Sequence, residues 1–140
     1  LAFTGVEHDS GKIHLDQREA ASARFVKKNI EQNVRLTYEM RDDLLRGRIE
    51  KLGEKLNQAW EYKKTFSSQI SNDYLDDIYR GAMQNGALGG KILGAGGGGY
   101  FLFIVDPFRR PELVDYLQSA GLHTQAVNFD TAGLTSWQVR

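Results

Sequence analysis

Between residues 94 and 99 the chain reads Gly-Ala-Gly-Gly-Gly-Gly. Ordering such a ribbon costs more conformational entropy than ordering any other sequence of that length. It is kept where the backbone must bend through conformations closed to other residues, or where main-chain amides must come close to an anion or to another loop. Directly after it comes Tyr-Phe-Leu-Phe-Ile-Val, Tyr100 to Val105. This continuous apolar run has the length of a strand and is expected to be covered on both faces.

Three formal patterns compete for the ribbon. Gly94, Gly96 and Gly99 satisfy G-x-G-x-x-G, but a dinucleotide fingerprint needs a helix after the loop and an acid about 20 residues further on. Here a strand follows. A Walker A loop fails because Ile92 follows Gly90-Lys91 and Asn85 stands where its first glycine belongs. A wide hairpin needs fewer small residues than this stretch contains.

The rest of the chain sets the ribbon in an alternating order of elements. Leu1 to Val6 reads as a strand, followed by turn residues at Asp9, Ser10 and Gly11. From about Asp16 to Phe66 the pattern is helical. One stripe is Ile49, Leu52, Leu56 and Trp60; a less regular one upstream is Ile30, Val34, Tyr38 and Leu45. A break near Gly47 predicts an antiparallel helical pair. Ser71 or Asn72 can cap the next helix, whose apolar stripe is Leu75, Ile78, Tyr79 and Ala82, and Asn85-Gly86 ends it. A short apolar piece, Lys91-Ile92-Leu93, precedes the ribbon. Pro111 suits the first position of a helix with Leu113, Val114 and Leu117 inward, and Gly121 stops it. Leu122 to Phe129 and Leu134 to Val139 read as two final strands. The order predicts an α+β sandwich of the ferredoxin-like, split βαβ type, an antiparallel sheet with helices on one face and an inserted helical pair.

Composition narrows the function. Eighteen basic residues balance eighteen acidic ones, so there is no clustered positive charge of the kind nucleic acid requires. No apolar run approaches the length of a membrane span. The chain has no cysteine, which removes disulfides and thiolate metal sites and suits a cytoplasmic protein. His8, His14 and His123 lack ligand spacing, so no metal site is expected. The chain opens on Leu1, already inside a strand pattern, so residues 1–140 are expected to be one piece of a longer protein.

Gly86-Ala87-Leu88-Gly89-Gly90-Lys91-Ile92-Leu93 and the ribbon up to Tyr100 together resemble the third conserved motif of the GHMP kinases, the superfamily of galactokinase, homoserine kinase and mevalonate kinase. The run Trp60-Glu61-Tyr62-Lys63-Lys64, with Ser67-Ser68, Ile70-Ser71-Asn72 and Ile78-Tyr79, resembles the D-glycero-D-manno-heptose 7-phosphate kinases within it. So do Phe3-Thr4-Gly5 and the stretch from Phe129-Asp130 to Trp137.

The resemblance implies the C-terminal half of an ATP-dependent small-molecule kinase, acting on a sugar or sugar phosphate such as a heptose phosphate. ATP with Mg²⁺ would be held mainly by an N-terminal half, which would also carry the phosphate loop and the catalytic base. No such motif occurs in these residues, so the piece alone is expected to be inactive. Gly94, Ala95, Gly96, Gly97, Gly98 and Gly99 would support the transferring phosphoryl group. Candidate substrate contacts are Lys63 and Lys64, at the end of the Trp60 stripe, the Ser67 and Ser68 hydroxyls, and Lys91. Each has a plainer use: lysine stems lying on the core, a cation at a helix C-terminus, a polar loop, a strand-edge charge. The alternatives to a kinase half are a stand-alone small-molecule-binding or regulatory module of the same fold, or a scaffold.

Overall fold

The computed structural model describes residues 1–7, 9–128 and 130–138. Its four strands are β1 (Ala2–Phe3), β2 (Ala87–Ile92), β3 (Tyr100–Val105) and β4 (His123–Thr124). They form one sheet in the order β2-β3-β1-β4, and every neighbouring pair is antiparallel. The helices are α1 (Ser10–Ala20), α2 (Arg24–Leu45), α3 (Ile49–Lys64), α4 (Asp73–Gln84) and α5 (Arg110–Ser119). With α1–α4 between β1 and β2, and α5 between β3 and β4, the topology is the expected split βαβ sandwich.

Local chemistry explains most boundaries. The Asp9 carboxylate accepts from the amides of Gly11 and Lys12 and starts α1, so the residues read as a turn are a helix N-cap. The helical stretch therefore begins earlier than Asp16 and forms three helices, broken at residues 21–23 and again at 46–48. Asn72 caps α4 through the Leu75 amide, and Leu75, Ile78, Tyr79 and Ala82 are its buried face, as the sequence pattern predicts. Each such cap contributes about 1 kcal/mol.

The core is aromatic. Trp60 meets Phe101 edge to face at 6.0 Å, and Tyr79 lies 6.0 Å from both Phe101 and Phe103. Trp60 and Phe101 are fully buried, each stabilising the fold by roughly 1.5–3 kcal/mol through burial. Helix α3 can approach β2 closely because glycines face each other there. A Cβ on Gly89 would collide with the Gly53 carbonyl oxygen, and one on Gly53 would lie 2.6 Å from the Leu88 Cβ.

Helices α2 and α3 are tied by charge. Asp43 is buried and accepts from Lys55 Nζ at 2.6 Å; Glu39 lies 3.3 Å from the same amine and Arg48 3.8 Å from Asp43. These bonds hold the Asp43 and Glu39 carboxyls below their ordinary range, with the hydrogen bond from Lys55 as the main cause.

Several expectations are corrected. The inward face of α2 is Val26, Asn29, Leu36 and Asp43, while Val34, Tyr38 and Leu45 are exposed, Tyr38 at 60%. The helix is oriented by its polar bonds to α3, which an apolar count cannot see. Ile49 is likewise exposed, at the start of α3. In β3 only Phe101 is fully buried, and Leu102 and Ile104 are half-buried, because helices cover a single face of the sheet. The first strand is two residues long because the Gly99 amide, which would return the bond from Thr4, turns to Val6 O. Among the described residues from Leu122 on, His123–Thr124 pair with that short β1. Residues 134–138 form no strand, since no ladder partner lies beside them. His8, Phe129 and Val139 lie outside the described residues.

Two predictions follow from this packing. Gly89→Ala should destabilise the chain by about 1–3 kcal/mol, as overpacking does, whereas Gly47→Ala, with open space around its added Cβ, should cost only the roughly 1–2 kcal/mol of its left-handed backbone; urea midpoints decide. Asp43, with its folded pKa lowered, contributes stability above the unfolded carboxylate pKa of about 3.9 and loses it as pH falls below that value. The midpoint gap between wild type and Asp43→Asn should therefore be widest near neutrality and close as pH drops below 4.

Candidate functional site

The glycine ribbon is held at its root, its middle and its far end. At the root, Lys63 in the last turn of α3 is only 8% exposed, and its ammonium donates to the carbonyl of Gly94 at 2.5 Å and of Ile92 at 3.3 Å. In the middle, Gln17 of α1 donates to the Ala95 carbonyl, and the Gly97 amide donates to Ile70 O at 2.8 Å. At the far end, the Gly99 carbonyl accepts from both the amide and the hydroxyl of Thr4, while the Gly99 amide donates to Val6 O. Tyr74 from α4 in turn holds Thr4 through its carbonyl.

Close approach explains the missing side chains. Gly96 has φ +112°, and a Cβ there would lie 2.9 Å from Ile70 Cγ2; a Cβ on Gly98 would lie 2.5 Å from Val6 O. The ribbon is thus wedged between the α3–α4 connector and the chain leaving β1. Ala95, Gly96 and Gly98 are buried.

The hydrogen bonding within the ribbon is lopsided. The carbonyls of Gly94, Ala95 and Gly99 are all engaged by donors from elsewhere in the chain. The amides of Ala95, Gly96 and Gly98 find no acceptor among the described residues. Buried amides are nearly always paired, so three unpaired ones within four residues mark a place suited to an acceptor from outside. An anion is the strongest such acceptor.

The other sequence-predicted residues divide. Lys91, in β2, is half-buried, and burial lowers its pKa. Burial first, and the like charge of Lys91 second, bring the Lys63 amine down to about 8. Two amines thus gather at the root of the ribbon. Lys64 turns away: it pairs with Glu61 at 2.9 Å and Asp76 at 3.7 Å, in a groove between α3 and α4 that Asn57, Tyr79, Arg80 and Met83 also line. Ser67 is buried with its hydroxyl accepting from the Gln69 amide, and Ser68 is exposed. Of the residues that anchor the ribbon, Thr4 and Ile70 lie in the stretches Phe3-Thr4-Gly5 and Ile70-Ser71-Asn72 that carry the resemblance, but nothing in the sequence singles out Gln17. Among the described residues no three His, Asp or Glu side chains gather to hold a metal ion, and no helix is long and apolar enough to cross a membrane.

The family profile of the GHMP kinases, C terminal, matches residues 40–123. The chain belongs to the GHMP kinase family. It is 32% identical over 133 residues to the D-glycero-alpha-D-manno-heptose 7-phosphate kinase of Campylobacter jejuni, covering 95% of this chain and 37% of that relative. It is 35% identical over 101 residues to the galactokinase of Pyrococcus furiosus, covering 71% of this chain and 26% of that one. It spans about a third of the first relative and a quarter of the second. In fold it is similar to L. major mevalonate kinase, with a TM-score of 0.77 at 21% identity over 84% of this chain and 36% of that one.

Lys63 also yields a stability prediction. Its folded pKa, about 8, lies below the unfolded lysine value of about 10.4. Between these values the unfolded chain binds more protons, so this group makes stability rise with pH. Tyr79, pushed up to about 12 by burial, acts in the opposite direction only above about pH 10. The urea midpoint of this chain should increase from pH 7.5 to 9.5, and Lys63→Met should flatten the increase.

Proposed function

We propose that this chain is the C-terminal half of an ATP-dependent sugar or sugar-phosphate kinase, with a heptose phosphate as the acceptor. The observation that carries the reading is that the buried amides of Ala95 and Gly96 have no acceptor among the described residues, while the carbonyls of Gly94 and Ala95, which share their peptide planes, are bonded on the opposite side. Phosphoryl transfer asks a protein mainly for position and for donors aimed at developing negative charge. Unbonded main-chain N–H groups in a glycine ribbon offer such donors without side-chain bulk.

ATP with Mg²⁺ supplies the transferable group. In the reaction the acceptor hydroxyl oxygen forms the new P–O bond, the bond from the γ-phosphorus to the bridging oxygen breaks, ADP leaves, and the hydroxyl proton passes to a base. The amides of Ala95, Gly96 and Gly98 hold the phosphoryl oxygens during that transfer. Lys91 and Lys63 add positive potential at the root of the ribbon, and Ser67 and Ser68 lie on the adjoining α3–α4 connection, where an acceptor's phosphate and hydroxyls would be bound; Lys64, paired with Glu61 and Asp76, is not assigned a contact. The base and the Mg²⁺ ligands belong to an N-terminal half that packs against the ribbon. Support for the acceptor class comes from the relatives, a heptose 7-phosphate kinase and a galactokinase, whose names both specify sugars.

The test uses the full-length enzyme and this chain side by side, with ATP, Mg²⁺ and a panel of hexoses, hexose phosphates and heptose 7-phosphate. The full-length enzyme should phosphorylate a sugar on the panel, with heptose 7-phosphate giving the highest kcat/KM, and this chain alone should transfer nothing. Gly97→Val, at a position with φ +78°, should cut kcat of the full-length enzyme at least tenfold, with a shift of only a few degrees in Tm. Phosphorylation by this chain alone would refute the placing of the base outside it, and unchanged turnover in Gly97→Val removes the ribbon from the site.

A further inference from the structure

We infer that Lys63 is a positioning residue of the ribbon, a latch that keeps the carbonyls of Ile92 and Gly94 on the inner side so that the peptide plane between Gly94 and Ala95 presents its amide, and not its carbonyl oxygen, to an anion. This rests on the reading of the ribbon given above and adds a role that contact with substrate would not require.

The geometry is specific. Lys63 lies in the last turn of a helix, where a lysine ordinarily extends its ammonium into water or toward the helix's own last carbonyls. Instead the amine is buried and crosses to carbonyls 29 and 31 residues away in sequence, one on each side of Leu93, where β2 ends and the ribbon begins. Leu93 itself is fixed by its amide on Tyr100 O. The latch therefore acts at the hinge from which the following peptide planes take their orientation.

The physical need is clear from charge. A peptide plane in a glycine ribbon turns over at low steric cost. If the Gly94 plane turned, its carbonyl oxygen would face the phosphoryl oxygens and its partial negative charge would repel them. An ammonium bonded to that oxygen opposes the turn, since breaking the bond leaves a buried charge without a partner. Gln17 on Ala95 and Thr4 on Gly99 do the same at the next two engaged carbonyls, but only Lys63 holds two at once.

The experiment measures kcat, KM and Tm of the full-length enzyme carrying Lys63→Met or Lys63→Gln, beside Gly97→Val. Lys63→Met fills the same space and can donate to neither carbonyl. It should lower kcat at least tenfold, change KM for the sugar less than threefold, and leave Tm within a few degrees. Lys63→Gln, whose side-chain amide can still donate, should recover at least a third of the lost turnover. A kcat within threefold of wild type in Lys63→Met, with Gly97→Val impaired, overturns the latch and leaves the ribbon reading standing. Unimpaired Gly97→Val sinks both. Loss of the folded state in both Lys63 variants also overturns the latch, because Lys63 is then an element of the fold and not of the ribbon's orientation.

Discussion

The site depends on one constraint: the carbonyl oxygens of Gly94, Ala95 and Gly99 must be occupied from behind. A chain of glycines has no intrinsic preference for showing amides rather than carbonyls, so the preference has to come from neighbours. It comes from three separate parts of the sequence. Thr4 leaves β1, Gln17 sits on α1 and Lys63 closes α3, and between them they engage Gly99, Ala95 and Gly94. The inserted helices are thus more than a cover for the sheet. Two of them deliver the side chains that orient the ribbon.

The same constraint explains features that look like defects of the sheet. Strand β1 is two residues long because the Gly99 amide bonds Val6 O instead of returning the bond from Thr4. β2 carries a glycine at 89, a poor strand former, where α3 comes close enough for Lys63 to reach the end of that strand, and one at 90 where the Phe103 ring of β3 lies. The Gly53–Gly89 contact and the buried Trp60 together set that distance. Core packing and site geometry are in this respect a single arrangement.

How far the sequence could be read varied with the kind of interaction involved. Helix α4 was fully legible, since an Asn cap and the Leu75, Ile78, Tyr79, Ala82 spacing are local signals. The ribbon and the apolar strand after it were legible for the same reason, and they carried the family. Helix α2 was read on the wrong face because its inward side holds Asn29 and Asp43, bound to Thr65 and Lys55. Polar burial of that kind depends on a partner tens of residues away. The inward direction of Lys63 follows from its place three residues beyond Trp60. Its carbonyl partners do not, because the 29-residue separation is closed only by the fold. Of the two final strands, the first is cut to His123–Thr124 by the short β1 it pairs with, and the second has no ladder partner among the described residues.

The central claim concerns which main-chain groups meet the reactant, and amide hydrogen exchange reads them one by one. In the full-length enzyme, exchange at Ala95, Gly96 and Gly98 should slow at least tenfold when ATP, Mg²⁺ and the sugar acceptor are added, while Gly97 and Gly99, already bonded to Ile70 and Val6, change much less. Unchanged exchange at those three amides, in an enzyme that slows elsewhere on binding, would contradict the account.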